Sequence, residues 1–405
     1  MKFYQTRDGR SYLLPFVLVT SLFFLWGFAH NILDVLNKHF QEAFDMTKMH
    51  SAMVQAAVYG GYFLMALPAG AIIRRWGYRA GVLTGLLLYG AGALLFNVGP
   101  SLGTDAQFNF FVLCLFVIGC GLTCLETSAN PYTTVLGHPD AAAQRINIAQ
   151  TFNGLGAIIG PSVGGLIILS TGNITLPYTI LGIVVLCVAA VFARVRLPEL
   201  GGDGPSEADA PAAADAGAPR LRSIPTFTFG LVALFVYVAA QTGVNSFFIN
   251  YMEERAGLVP AVAAQWQAYG GMGLFLLGRV LGSWLMARVR PERLMTLFAL
   301  GASVATALIV ATGGTLGLGA FFVVYLCESI MFPTIFALAL RYVGPHTKRA
   351  SSYLIMTIVG GAVAPLLMGG IADSTGNIAL GFVVPLVCYL VILAYSARYG
   401  KLVRR

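Results

Sequence analysis

The sequence predicts an all-α membrane protein whose twelve transmembrane helices fall into two six-helix, pseudo-symmetric halves. Three observations carry that prediction. Of the 405 residues, 57% are hydrophobic and only 10% charged, with a mean hydropathy of +0.77, a balance too apolar for an ordinary soluble domain. Apolar stretches near the ~20 residues that a helix needs to cross a bilayer recur about a dozen times between Leu13 and Tyr399. Finally, a set of motifs in the first half returns in the second at a spacing of roughly 200 to 212 residues, a whole half-protein.

The spans follow in order. The first, 13–37, comes after Lys2, Arg7 and Arg10 as a secretory leader would. It lacks a small-residue cleavage site and leads within about fifteen residues into another span, so it reads as a retained helix. Spans 50–73 and 79–97 flank the basic turn "GAIIRRWGYR", and 107–133, 144–170 and 175–194 complete the first half. Residues 197–223, "LPELGGDGPSEADAPAAADAGAPRLRS", are rich in Ala, Pro, Gly and Asp, bury too little to fold, and read as a cytoplasmic linker. The second half holds 224–251, 261–288, 292–311, 315–341, 349–371 and 376–399. The domains are then an N-terminal bundle, 1–196, the linker, and a C-terminal bundle, 224–405.

The repeat is visible by residue. "QAAVYGGYF" from Gln55 is echoed by "QAYGGMGLF" from Gln267, and Glu126 and Pro131 are spaced as Glu328 and Pro333 are. Arg145, Gly156, Pro161, Gly165 and "STGNI" from Ser170 recur as Arg349, Gly360, Pro365, Gly369 and "STGNI" from Ser374. Six spans per half give both halves the same orientation, the arrangement of major facilitator transporters, with a substrate cavity between them near the bilayer midplane.

Basic residues cluster in alternate loops and set the orientation. Arg74, Arg75, Arg79, Arg145, Arg288, Arg290, Arg293, Arg341, Lys348, Arg349 and both charged termini fall on the cytoplasmic side, while Lys38, Lys48 and Arg255 stay outside. The net charge of +8 is thereby a matter of topology, with the lipid bilayer as partner and no nucleic acid. A single chain supplies both halves of the cavity, so a monomer suffices. All six cysteines lie inside spans, without a Cys-x-x-Cys pair or a His cluster, and read as buried free thiols; no disulfide, metal or cofactor is expected.

Four ionisable groups other than histidine, thiols and phenols lie within or near the spans: Asp34, Glu126, Arg279 and Glu328. A charge at the bilayer centre costs roughly 2.5–3.5 kcal/mol on insertion scales, so each is a functional candidate. Nearby are His30, Asn31, Asn130, Gln150, Asn153, Gln241, Asn245 and Asn250, with aromatic Trp26, Phe28, Tyr59, Phe152, Tyr237 and Phe247 on the same helices. Amides and carboxylates bond hydroxyl groups and aromatic faces cover a pyranose ring, so the set suits a neutral, polyhydroxylated solute. Desolvation disfavours the charged form of a carboxyl, which lets Asp34 or Glu126 load and release a proton as access switches sides. The blander readings are a structural carboxyl at Glu126, a water-exposed Asp34, and, for Arg279 and Glu328, a structural ion pair weighed equally against substrate contact. Glycine runs such as "GLLLYGAG" read as helix-packing faces, since no phosphate-loop pattern follows them.

The stretches "FFLWGFAHNILDVL", "GLTCLETSANPYTTVLG", "RINIAQTFNGLGAIIGP", "FFINYMEE" and "MFPTIFALALRYVGPHTKRASSYLIMTIVGGAVAPLLMG" resemble the fucose/glucose/galactose–proton symporter family of the major facilitator superfamily. The resemblance spans nearly the whole chain except the linker. It implies a transporter, not an enzyme, in the cell (inner) membrane. Asp34 then matches a proton-coupling carboxylate, Glu126 a carboxylate of sugar recognition, and Asn31, Gln150 and Asn153 sugar-cavity positions. Two departures bear on the sugar: His30 and Leu33 stand in a run that is Asn-rich in fucose members, and Glu328 stands where much of the family is uncharged. The superfamily's cytoplasmic signature is only partly present, because Arg74 replaces its acid; Arg75 and Arg79 remain for helix ends or lipid phosphate.

The expectation is therefore proton-coupled import of a neutral hexose or 6-deoxyhexose, with sodium as the alternative coupling ion. Asp34 and Glu126 are the coupling carboxylates. Glu126, Asn31, Asn130, Gln150, Asn153, Gln241, Asn245, Trp26 and Tyr59 form the sugar site. A proton-coupled antiporter of another solute and a non-transporting sugar sensor are the rival readings.

Overall fold

The computed structural model describes residues 11–43, 48–171, 173, 175–195, 221–312 and 314–403; the side chains at 29–56, 104–105, 161–162, 164–166, 168–170 and 261 lie outside that description. The first half is built from α1 (Leu13–Ala43), α2 (Lys48–Leu95), α3 (Thr104–Val135), α4 (Ala142–Thr171) and α5 (Thr175–Arg194). The second contains α6 (Pro225–Ala256), α7 (Pro260–Gln265), α8 (Met272–Leu285), α9 (Pro291–Ala311), α10 (Gly314–Glu328), α11 (Met331–Leu340), α12 (Thr347–Met356), α13 (Val363–Thr375), α14 (Ile378–Gly381) and α15 (Val383–Val403).

Among the described residues eight helical stretches are long and apolar enough to cross a bilayer. One of them, Ala57–Ser101, makes two traverses. As a straight rod α2 would be about 70 Å long, more than twice the ~30 Å hydrocarbon layer. It turns back at Gly77, whose φ of 83° is a conformation that a side chain would strain. With α1, α4 and the α7–α8 segment the traverses number twelve.

The apolar surface is turned outward. Leu64, Leu87, Ile183, Leu297 and Leu366 are exposed on the flanks of the bundle, where lipid replaces water. Thr123, Glu126, Asn130, Asn147, Gln150, Arg279 and Glu328 are buried inside it. Six free cysteines are described: four are buried, Cys120 is half-buried, and Cys187 is exposed beside Ile183, Val184 and Val191, contrary to the expectation that all six are buried. That residue lies on the lipid flank of α5, where a small apolar thiol needs no shelter.

Several spans that read as continuous are broken. The eighth traverse carries a π-helical turn, Trp266–Gly271, between α7 and α8, and the eleventh a 3-10 turn, Thr357–Ala362, between α12 and α13. The tenth breaks between Glu328 and Met331. Pro333 has no N–H to give the Ser329 carbonyl one turn back, so that carbonyl is released from the helix ladder. Of the linker expected at 197–223, residues 197–220 lie outside the described residues, and Leu221–Ser223 form a 3-10 turn leading into α6.

The loops with Arg74, Arg75, Arg79, Arg145, Arg288, Arg341 and Lys348 share one end of the bundle, here called the basic end. Arg79 donates to the Phe192 and Ala193 carbonyls at the close of α5, a cation set on the negative end of a helix dipole. Arg145, which the sequence suggests is a loop cation, is fully buried. It donates to the Thr133 carbonyl at 2.8 Å, the His138 carbonyl at 2.8 Å and the Thr134 carbonyl, capping the end of α3. Its repeat partner Arg349 is exposed and donates to the Tyr353 hydroxyl at 3.4 Å.

Candidate functional site

Glu126 sits on α3 five residues before Pro131 and is 1% exposed. The Tyr62 hydroxyl on α2 donates to its Oε1, and the Trp26 indole of α1 donates in turn to Tyr62. Its other oxygen, Oε2, is buried without a hydrogen-bond partner. One carboxyl oxygen is thus fixed and the other left as an acceptor, an arrangement suited to a ligand hydroxyl or a proton.

One turn along α3, the Asn130 Oδ1 accepts from Gln150 Nε2 of α4 at 3.4 Å, while Asn130 Nδ2 is buried and unpartnered. Asn153 Nδ2 donates to the Phe23 carbonyl of α1 at 3.3 Å. This closeness depends on Gly27: a Cβ there would lie 2.0 Å from the Asn153 carbonyl oxygen. Glu126, Asn130, Gln150, Asn153 and Trp26 therefore converge where α1, α3 and α4 meet.

Arg279 of α8 enters this group from the other half. Its Nη1 donates to the Gln150 carbonyl, to Gln150 Oε1 at 3.3 Å and to Asn153 Oδ1 at 3.4 Å. Its Nε holds the Ser329 carbonyl freed by Pro333, at 3.1 Å, and its guanidinium lies 4.5 Å from the centre of the Phe275 ring. Of the two readings for Arg279 and Glu328, the ion pair does not form. The arginine is spent on carbonyls and amides, and Glu328 Oε1 instead accepts from the Tyr389 hydroxyl of α15.

The remaining candidates divide. Tyr59 is half-buried and reaches the second half, where a Cβ on Gly361 would lie 3.2 Å from its hydroxyl oxygen. Gln241 and Asn245 are half-buried on α6, and no hydrogen bond among the described residues joins either to the Glu126 group; Asn245 offers its carbonyl to Gln267 Nε2 at 2.8 Å. Tyr237 is fully buried and donates to the Glu328 carbonyl at 3.2 Å, so its hydroxyl serves the helix break and not a cavity wall. Asp34, Asn31 and His30 lie on α1, but their side chains are outside the described residues.

Sequence reasoning missed Tyr62 and Tyr389, because phenols were set aside as aromatic packing. It also missed the contacts between halves. Ser351 Oγ donates to the Thr127 carbonyl, which Pro131 frees, at 3.1 Å, and Asn147 Nδ2 donates to Thr334 Oγ1 at 3.3 Å. Arg341 pairs with Asp140 at 2.7 Å, and Lys348 lies 5.3 Å from the centre of the Tyr78 ring. A Cβ on Gly70 would lie 1.7 Å from Ser352 Oγ, so α2 and α12 touch directly. These contacts draw the halves together on the basic side.

Residues 19–358 match the family model described as Major Facilitator Superfamily. The L-fucose-proton symporter of Escherichia coli (strain K12) is 36% identical, over 96% of this chain and 94% of that protein. A glucose/galactose transporter of Brucella abortus biovar 1 (strain 9-941) is 34% identical, over 98% of this chain and 95% of its own length. The crystal structure of the major facilitator transporter FucP in the outward conformation superposes with a TM-score of 0.84 at 35% identity, covering 96% of this chain and 99% of that one. With its twelve traverses and buried polar cluster, this chain belongs to the sugar–proton symporter family of the Major Facilitator Superfamily that contains the fucose and glucose/galactose transporters.

Proposed function

We propose that the chain imports a neutral hexose or 6-deoxyhexose together with a proton by alternating access of the two bundles, 1–196 and 224–405, about the cluster centred on Glu126. The observation that carries this reading is the half-satisfied carboxyl: Tyr62 holds Oε1, and Oε2 is buried and free one helical turn before Asn130, which in turn accepts from Gln150. Glu126 and the amides accept and donate to sugar hydroxyls, and Trp26 and Tyr59 supply aromatic faces. Asn31, Gln241 and Asn245 extend the site on α1 and α6. Asp34 couples the proton, with Glu126 sharing the charge.

The contacts at the basic end support a cavity that opens to the opposite side. The arginine distribution supports a cytoplasmic basic end with both termini on that side.

Uptake of labelled fucose, glucose, galactose and mannose into proteoliposomes, with and without an inward proton gradient, tests the reading. Gradient-driven accumulation of one sugar is expected, lost in Glu126→Gln and Asp34→Asn, with exchange persisting in Asp34→Asn. If folded protein moves none of the four sugars, the sugar assignment falls and the antiporter and sensor readings take its place.

A further inference from the structure

We propose that Glu328 is a second proton carrier, loaded while the basic end is closed and emptied when Arg279 releases α4. Its transport consequence rests on the symport reading above. Glu328 is fully buried. Its Oε1 accepts from Tyr389, its carbonyl accepts from Tyr237, and its Oε2 is buried without a partner.

Among the described residues, the titratable and charged groups around it are Tyr325 and Cys327 on its own helix, Tyr237 on α6, Tyr389 on α15, and Arg279 on α8, whose Nε holds the carbonyl of the next residue, Ser329. Only Arg279 is a cation, and it forms no ion pair with Glu328. A bare carboxylate moved into such surroundings costs several kcal/mol even after relaxation. In the closed state Glu328 therefore carries its proton and is neutral.

Opening reverses the arrangement. The acceptors that hold Arg279 Nη1, on Gln150 and Asn153, belong to the opposite half. When the halves part at the basic end those acceptors leave, and a guanidinium with free N–H groups is left one residue from a carboxyl. The carboxyl O–H bond then breaks, the carboxylate pairs with Arg279, and the proton leaves on water entering between the halves. The ion pair that the sequence suggests is thus a feature of the other conformation.

Two measurements test the proposal. Infrared spectra of purified, sugar-free protein at neutral pH should show a protonated-carboxyl band that loses intensity in Glu328→Gln and persists in Glu328→Asp. In proteoliposomes, Glu328→Gln should move fewer protons per sugar than the wild type, while Glu328→Asp keeps the wild-type ratio. An unchanged infrared band, or an unchanged proton-to-sugar ratio, overturns the proposal. Failure of wild-type uptake with the infrared result as expected would sink the sugar reading and leave the proton site standing.

Discussion

Glu126 and Glu328 occupy the same place in the repeat, each five residues ahead of a proline that frees a carbonyl in its own helix. Their surroundings differ. The Thr127 carbonyl is taken by Ser351 from the opposite half, whereas the Ser329 carbonyl is taken by Arg279 from the same half. Glu126 is held by Tyr62 of α2 and stands one turn before the amide of Asn130; Glu328 is held by Tyr389 of α15, and its carbonyl accepts from the phenol of Tyr237. Neither tyrosine is part of the repeat: Leu274 stands at the Tyr62 place in the echoed run, and Val185 stands 204 residues before Tyr389. Repetition preserved the acid and the proline, and unrepeated neighbours decide what each acid meets.

The widest gap between repeat partners is expected at the arginines. Arg145→Ala removes three charge-assisted bonds inside the bundle, each worth roughly 1.5–3 kcal/mol, and should lower the melting temperature in detergent by several degrees. Arg349→Ala should leave it unchanged, and equal losses would show that the two half-loops are built alike. The tyrosines come next. Leaving one buried carboxyl oxygen without its donor costs about 1–3 kcal/mol. Tyr62→Phe should weaken sugar binding about tenfold, the equivalent of ~1.4 kcal/mol, while Tyr389→Phe should lower thermal stability and spare affinity. Similar affinity losses in both would place both acids against the sugar. The smallest effect is expected from Ser351→Ala, which removes one hydrogen bond of about 1 kcal/mol between the halves. Distances between spin labels on α3 and α12 should then show a roughly fivefold gain of the state parted at the basic end; an unchanged distribution would mean that this bond does not help hold the halves together.

The parts legible in the sequence were those that depend on composition and spacing. Twelve traverses, two halves and the acid–proline pairs follow from apolar run lengths and a shared offset. So does the gathering of polar side chains inside the bundle, Gln150 on Asn130 among them, because few polar residues occur in the spans and each must find another. The Arg279–Glu328 expectation failed for a local reason. Opposite charges in a sequence suggest a pair, yet Pro333 places a free carbonyl next to Glu328, and the arginine takes that carbonyl and reaches across to α4. Tyr62 and Tyr389 were hidden because a tyrosine in an apolar run reads as packing until helix neighbours show where its hydroxyl falls. The burial of Arg145 depends on how the loop folds back over the end of α3, which charge counting does not address.

The distribution of thiols bears on how the motion can be observed. Four of the six are enclosed in the bundle, Cys120 is partly enclosed, and Cys187 faces outward among aliphatic side chains. Hydrophilic maleimides and methanethiosulfonates do not dissolve in the hydrocarbon layer that covers this face. A cysteine introduced on a water-exposed loop at either end therefore reacts ahead of the native ones, and the natural chain is itself a workable background for site-directed labelling.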